Sequence, residues 1–248
     1  MLILLPPSEG KSAPESGDPL DLDSLAFAEA LGERRARLLD ALERLPKAST
    51  RKALEMLAIS PGQAGEIAVD AALRGAPAAP ASEVYSGVLY DHLGLPELPP
   101  AARRRAAAQV LIASALWGFV RPGDRIPYYR LSAKARLKRI GPLSAFWRKS
   151  LSQALPDNPG DLVIDMRSGA YAAAWKPKQA TLLSVRAFTE VEGERKAVSH
   201  MAKAVRGEVA RALLLAKKAP ADPEAAAAVA RAAGFKVELG ESVLDVIV

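Results

Sequence analysis

The wide separation of the short apolar runs that can form β-strands is the feature that most constrains the fold. Between these runs the chain carries long stretches of helical periodicity, and the helices come in groups. A doubly wound dinucleotide fold needs regular alternation of strand and helix, so this order predicts α+β or an irregular α/β arrangement. The predicted strands are residues 2–5, 110–116, 162–166, 181–188, 236–239 and 243–248. The predicted helices are residues 24–45, 49–59, 65–73, 101–108, 143–155, 196–216 and 223–233.

Proline-rich spacers at 75–82, 94–100 and 156–160 are short, which indicates loops and a single domain over residues 1–248. Half of the 248 residues are hydrophobic, enough for a substantial core. No apolar run reaches the roughly 18 residues of a membrane span, and the N-terminus lacks signal-peptide features. We therefore expect a cytoplasmic protein with no membrane partner.

The composition disfavours metal binding and thiol chemistry. The chain has no cysteine and two histidines, and its acidic residues form no ligand cluster of obvious spacing. We expect no metal site and no cofactor. Tight stoichiometric binding of iron is likewise not expected.

The charge is concentrated in one part of the chain. Residues 101–150 hold 12 basic side chains and one acidic side chain, whereas residues 1–100 hold 9 basic and 15 acidic ones. Such a segment is typical of a polyanion site, and a basic surface balanced in space by the acidic first hundred residues is the alternative.

The segment LWGFVRPGDRIPYYRL at 116–131 combines aromatic rings with three arginines on a backbone broken by prolines and glycine. Its first residues suit packing, and the rest predicts a rigid turn after a strand. That turn would present Arg121, Tyr129 and Arg130 to an anion, with Asp124 orienting one arginine.

The sequence PPSEGKS at 6–12 ends like a phosphate loop but lacks its first glycine, and its prolines remove N–H donors. Lys11 nevertheless follows a predicted strand end, where ligands often bind in α/β sheets. A surface lysine in a turn is the alternative.

Residues 57–65 suit a helix-hairpin-helix element, in which a glycine-containing turn offers N–H groups to a DNA phosphate. Pro61, Gly62 and Gly65 would form this turn, although the usual second glycine falls at Ala64. A plain turn between two helices fits the same residues.

Two later segments carry polar groups. Asp165 stands at a predicted strand end, a common position for a catalytic carboxylate, followed by Ser168 in a polar turn and Tyr171. Lys203 and Arg206 are three residues apart on a predicted helix and share a face. We assign catalytic roles to Asp165, Tyr171 and Lys203, and anion-binding roles to Ser168 and Arg206.

Taken together, PPSEGK, VYSGVLYDHL, LWGFVRPGDRIPYYRL, DMRSGAY and SHMAKAVRG occur in an order that resembles the YaaA family of bacterial peroxide-stress proteins. The resemblance implies a compact α+β domain with a mixed sheet flanked by helices and a positively charged cleft. It also implies a role in limiting damage from free intracellular iron, and DNA binding through a helix-hairpin-helix element. Lys11, Arg121, Arg130, Lys203 and Arg206 match the expected cleft.

Two functional hypotheses remain open at this point. One is a protective protein that binds duplex or branched DNA. The other is an enzyme acting on a nucleotide or another phosphorylated small molecule. A set of polar groups that converges in one deep pocket favours the enzyme, and a shallow groove favours DNA.

Overall fold

The structure is a computed structural model that describes residues 1–191, 194–196 and 199–248. Its strands are β1 (Leu2–Leu5), β2 (Ala79–Pro80), β3 (Val110–Ser114), β4 (Gly118–Val120), β5 (Arg125–Ile126), β6 (Leu162–Asp165), β7 (Thr181–Val191), β8 (Glu194–Lys196), β9 (Lys236–Leu239) and β10 (Val243–Ile247). Its helices are α1 (Ala28–Glu43), α2 (Thr50–Leu57), α3 (Glu66–Ala71), α4 (Ala81–Val84), α5 (Val88–Leu93), α6 (Pro100–Gln109), α7 (Leu143–Ala154), α8 (Gly169–Ala172), α9 (Ser199–Leu215) and α10 (Pro223–Ala232).

Eight of the described strands form one mixed sheet in the order β4-β3-β1-β6-β7-β10-β9, with β8 paired to β7. The five strands from β3 to β10 in this order run parallel, and β4, β8 and β9 pair antiparallel. Every residue of β3 and β6 is buried, as expected for parallel strands covered on both faces. The predicted α+β fold with a mixed sheet and helices is confirmed.

The chain order within the sheet reverses direction next to β1. From β1 the sheet continues to β3 on one side and to β6, β7 and β10 on the other. The loops after β1 and β6 therefore leave the same edge of the sheet on neighbouring strands. In open α/β sheets this is where ligands bind, at the carboxyl ends of the strands.

The predicted strand 110–116 ends early because Ser114 turns the chain. The Ser114 hydroxyl oxygen accepts hydrogen bonds from the backbone N–H groups of Leu116 (3.1 Å) and Trp117 (3.0 Å). The chain then returns as the antiparallel strand β4, starting at Gly118 with a φ of 73°. The expectation that Leu116, Trp117 and Phe119 pack is confirmed, since all three are buried.

Helix α1 begins at Ala28, four residues later than predicted, because tertiary contacts hold the preceding backbone. The Ala26 N–H donates to Asp124 at 2.9 Å, and its carbonyl accepts from Arg35 at 2.7 Å. Arg35 is fully buried and also donates to the carbonyls of Trp117 and Phe119 at 3.0 Å each. These bonds fix the start of α1 against the β3–β4 turn.

Helix α9 packs against α5 and β7. The contact with α5 is close at Gly207, where an added Cβ would overlap the Leu89 carbonyl oxygen. This approach brings the N-terminal half of α9 beside the loop that follows β1. Of the helices in the described ranges, none is long and apolar enough to cross a bilayer.

Candidate functional site

A cleft opens at the carboxyl ends of β1 and β6, with a volume of about 580 Å³. Segments 6–11, 86–90, 130–134 and 168–171, the turn after α2 and the start of α9 line it. The structure brings six of the predicted site residues to this lining: Lys11, Arg130, Ser168, Tyr171, Lys203 and Arg206. The lining also contains Lys134 and one carboxylate, that of Glu9.

Lys11 is half-buried, and its Nζ donates a hydrogen bond of 2.8 Å to the Ser8 carbonyl. The same nitrogen lies 4.6 Å from the centre of the Tyr129 ring. Burial, together with the nearby Arg130 cation, lowers the pKa of Lys11 to about 8. The amine is therefore much closer to losing its proton at neutral pH than an ordinary lysine is.

Arg130 connects three parts of the site. Its Nη1 donates to the Glu9 carbonyl at 2.9 Å, which ties it to the loop after β1. Its backbone N–H donates to Asp70 Oδ1 at 2.8 Å, which ties it to α3. The backbone of Arg130 is thus fixed while its half-buried guanidinium lines the cleft.

Asp70 is a residue that the sequence interpretation missed. It is fully buried, and its Oδ2 has no hydrogen-bond partner within the described ranges. Burial raises the pKa of its carboxyl to about 7, against the opposing effect of the bond from the Arg130 N–H. A signal was present, because Asp70 lies three residues after the buried Ile67 and so falls on the buried face of α3.

Glu66, one turn before Asp70, is the other missed carboxylate. Its Oε1 accepts a hydrogen bond of 2.8 Å from Tyr128, and its buried Oε2 has no partner in the part of the chain that the structure describes. The charges of Glu66 and Asp70 both act on Lys11. Two carboxylates from α3 therefore partly offset the effects of burial and of Arg130 on the pKa of the cleft lysine.

Tyr129 belongs to the core instead of offering a ring to a ligand. It is 1% exposed, and its hydroxyl shares hydrogen bonds of 2.7 Å with Tyr85 and with Ser114. Burial raises the pKa of Tyr129 well above its ordinary value. Its contribution to the cleft is the ring face that lies against Lys11.

Asp165 is also buried, and its carboxylate pairs with Arg167. Oδ1 accepts from Arg167 Nε, and Oδ2 accepts from Arg167 Nη2, both at 2.8 Å. Arg167 in turn donates to the Trp175 carbonyl at 2.8 Å. Both carboxylate oxygens are occupied, and Asp165 is not part of the cleft lining. Its catalytic role stays a prediction without support from this arrangement.

Three further predicted residues line the cleft, one from α8 and two from α9. Tyr171 is half-buried, and burial raises the pKa of its hydroxyl. Lys203 is exposed at the cleft, and Arg206 lies one turn further along α9. The Arg206 Nε is buried and has no hydrogen-bond partner among the described residues. A buried guanidinium donor without an acceptor is the arrangement expected for an anion-binding group.

Arg121 and Asp124 do not reach the cleft. Arg121 is exposed. Asp124 Oδ2 accepts from the backbone N–H groups of Ala26 and Arg121, at 2.9 Å and 3.0 Å. Asp124 thus fixes the turn and the start of α1 through backbone bonds, and the predicted orientation of an arginine side chain is not observed.

The proposed DNA hairpin is a turn between two short helices. Pro61 and Gly62 begin a 3-10 turn that is closed by mutual Ser60 and Gln63 capping bonds, and Gly65 precedes α3. Ser60 and Gln63 line the cleft, but the lining contains none of the three predicted hairpin residues. DNA contact by this turn stays a prediction.

A second concave surface, which we term the basic groove, has a volume of about 1120 Å³ and lies between α1, α2 and residues 136–140. Its cations are Arg37, Arg44, Lys47, Lys52, Arg136, Lys138 and Arg139. Its two carboxylates pair with arginines outside it: Asp40 with Arg74 at 2.6 Å and Glu55 with Arg51 at 2.8 Å. Among the residues described, these two carboxylates therefore form no ion pair with the cations that line the groove.

Across residues 1–191, 194–196 and 199–248, no group of three or more histidine, aspartate or glutamate side chains is arranged to hold a metal ion.

Comparison with known proteins yields a match to one family model. A family model described as peroxide stress protein YaaA matches residues 1–239.

Proteins of several bacteria are similar to this chain over most of its length. A UPF0246 protein of Streptomyces coelicolor is 45% identical over 245 residues, which cover 96% of this chain and 92% of the relative. A UPF0246 protein of Corynebacterium efficiens is 40% identical, covering 97% and 96%. An uncharacterized protein of Campylobacter jejuni is 28% identical, covering 84% and 82%.

Proposed function

The chain belongs to the peroxide stress protein YaaA family, and from this premise we propose that it is an enzyme that binds a nucleotide or another phosphorylated small molecule in its cleft. The supporting observation is convergence. Lys11, Arg130 and Arg206 come from three distant parts of the chain and line one cavity of about 580 Å³, a size typical of small-molecule sites.

The groups in the cleft divide naturally between binding and proton transfer. Arg130, Lys203 and Arg206 suit the phosphate, because guanidinium and ammonium groups form strong charge-assisted hydrogen bonds with its oxygens. Lys11, with a pKa of about 8, suits proton transfer near neutral pH. This division moves the proton-transfer role from Asp165 and Lys203 to Lys11.

Binding of phosphorylated compounds by purified protein tests the proposal. Calorimetry against a panel of nucleotides and sugar phosphates should identify a ligand, and Arg130→Ala should weaken its binding by at least about tenfold. Arg121→Ala is the matched control, because it removes the same charge from an exposed position outside the cleft. Equal effects of the two variants, or no phosphorylated ligand at all, would refute the proposal.

We also propose DNA binding as a second candidate function, and the basic groove supports it. Seven cations line the groove, and its acids are paired elsewhere. No aromatic ring lines it, which favours contact with phosphates over stacking of unpaired bases. Of the twelve cations in residues 101–150, Arg136, Lys138 and Arg139 serve this surface.

Filter binding of duplex and branched DNA at increasing salt tests the second candidate. The double variant Lys138→Glu, Arg139→Glu should abolish binding at low salt, and affinity of the wild type should fall steeply with salt. The double variant Arg103→Glu, Arg104→Glu makes the same charge change on the exposed face of α6 and should bind DNA normally. No affinity of the wild type for either DNA at low salt would exclude this function.

Limitation of damage by free intracellular iron is proposed as an indirect consequence of either activity. The chain has no cysteine and two histidines, which disfavours direct sequestration of iron. Anaerobic calorimetry with Fe(II) should therefore detect no tight stoichiometric binding. A stoichiometric, high-affinity isotherm would show that the protein stores iron itself.

A further inference from the structure

We propose that Lys11 is a covalent site, at which the lysine amine forms an imine with the carbonyl group of a phosphorylated aldehyde or ketone. The inference rests on the proposed function, since it requires a phosphate-binding cleft, and it narrows the substrate class to carbonyl compounds. Its basis is the position of Lys11 relative to the other cations of the site.

Lys11 stands apart from the other lysines that line the cleft. Lys134 and Lys203 are exposed, whereas Lys11 is half-buried between the loop after β1 and the Tyr129 ring. Its Nζ donates to the Ser8 carbonyl and forms no salt bridge among the described residues. A lysine that is withdrawn from water and has no carboxylate in contact is the usual form of an imine-forming residue.

The groups around Lys11 disfavour its ammonium form overall. Arg130 is a second cation beside it, and burial removes water from the amine. Asp70, Glu9 and Glu66 act in the opposite direction and do not outweigh the burial. With a pKa of about 8 instead of 10.5, roughly 300-fold more neutral amine is present at neutral pH.

A phosphate anchor is available without Lys11. Among the described residues, the buried Nε of Arg206 has no hydrogen-bond partner, and Lys203 lies one turn before it. The buried hydroxyl oxygen of Ser8 also has no partner within the described ranges, and it lies next to the carbonyl that binds Lys11. With the phosphate on α9, the carbonyl end of the ligand can face the loop after β1.

The covalent step balances without a further reactant. The neutral amine attacks the carbonyl carbon, and the carbinolamine then loses its oxygen as water. Relative to the ammonium form of the lysine, the nitrogen loses two hydrogen atoms, and both leave with the carbonyl oxygen as one water molecule. The product is a protonated imine that keeps the positive charge on nitrogen. Neither an oxidant nor a reductant is needed.

Reductive trapping tests the inference on the full chain. Pyridoxal 5′-phosphate, a phosphorylated aldehyde, is added at a concentration equal to that of the protein. The mixture is then reduced with borohydride, and the labelled peptides are mapped by mass spectrometry. Lys11 should carry the label at least about tenfold above any other lysine, because its neutral amine is far more abundant. Unphosphorylated pyridoxal should label it at least about tenfold less, because the charge-assisted bonds to phosphate are lost.

Two variants control for nonspecific labelling. Lys11→Arg retains the positive charge and should abolish the specific label, whereas Lys134→Arg changes an exposed lysine of the same cleft and should retain it. Thermal unfolding verifies that both variants fold. Labelling spread over exposed lysines, or unchanged labelling of Lys11→Arg, overturns the inference.

Calorimetry with inorganic phosphate separates this inference from the proposed function. Phosphate binding that requires Arg206, without labelling at Lys11, refutes the covalent step and leaves the phosphate cleft intact. Absence of labelling, of phosphate binding and of any ligand in the panel of nucleotides and sugar phosphates refutes the proposed function as well. Labelling at Lys11 that phosphate does not compete with overturns the anchor on α9.

Discussion

Replacing Asp70 by asparagine is expected to make the protein progressively more stable than the wild type between about pH 4 and about pH 8. Asp70 is fully buried, and burial raises the pKa of its carboxyl from 3.8 to about 7. An asparagine can still accept the hydrogen bond from the Arg130 N–H, and it carries no charge at any pH.

The sign follows from the protons bound in each state. Between these two pKa values the folded protein holds a proton on Asp70 that the unfolded chain has released, so the wild type loses stability as the pH rises. Each pKa unit corresponds to about 1.36 kcal/mol, so a rise from 3.8 to about 7 amounts to about 4 kcal/mol. Above about pH 8 this cost is complete and constant.

Urea denaturation of wild type and Asp70→Asn at a series of pH values measures this difference. Across this pH range, the free energy of unfolding of the variant minus that of the wild type should increase by about 4 kcal/mol. Burying the amide adds a contribution that does not change with pH. Asp91→Asn, at an exposed position on α5, is the control and should show no comparable trend. A difference between Asp70→Asn and wild type that is independent of pH would refute the reasoning.

Two further predictions concern packing and buried charge. Gly207→Ala should lower the free energy of unfolding by about 1–3 kcal/mol in urea denaturation, because the added methyl overlaps the Leu89 carbonyl oxygen. Gly32→Ala, a control in α1 with open space around it, should be neutral or stabilise by up to about 1 kcal/mol. Arg167→Met should cost about 3–5 kcal/mol in the same assay because it strands the buried Asp165, and Asp165→Leu added to it should recover part of the loss. Equal stability of Arg167→Met and the wild type would contradict this account of the pair.

The strands and long helices were predictable because their signals are local. The predicted strands at 2–5 and 236–239 correspond to β1 and β9 without change, and the other predicted strands differ at their ends. The ends were decided by hydrogen bonds within turns, such as those that Ser114 accepts from Leu116 and Trp117, which apolar periodicity does not encode. The short elements α4, α5 and β4 were missed for the same reason.

The candidate site was predictable to a lesser degree. Sequence order placed Lys11, Ser168 and Tyr171 after strands, and parallel pairing of β1 with β6 brings those strand ends together. Arg121 and Arg130 looked equivalent in the sequence. The turn held by Asp124 leaves Arg121 exposed, whereas the hydrogen bond that the Arg130 N–H donates to Asp70 fixes Arg130 at the cleft. Asp70 itself was overlooked, since its importance depends on burial.

The sequence by itself determined the fold class, the family and the types of charged group available to a ligand. Periodicity and composition carry that information residue by residue. Only the tertiary structure decided that the basic segment divides between a cleft and a separate groove, and that Lys11 is the lysine withdrawn from water. The physical reason is that desolvation and charge–charge effects depend on distances in space, which pair residues as far apart in the chain as Lys11, Asp70 and Arg130.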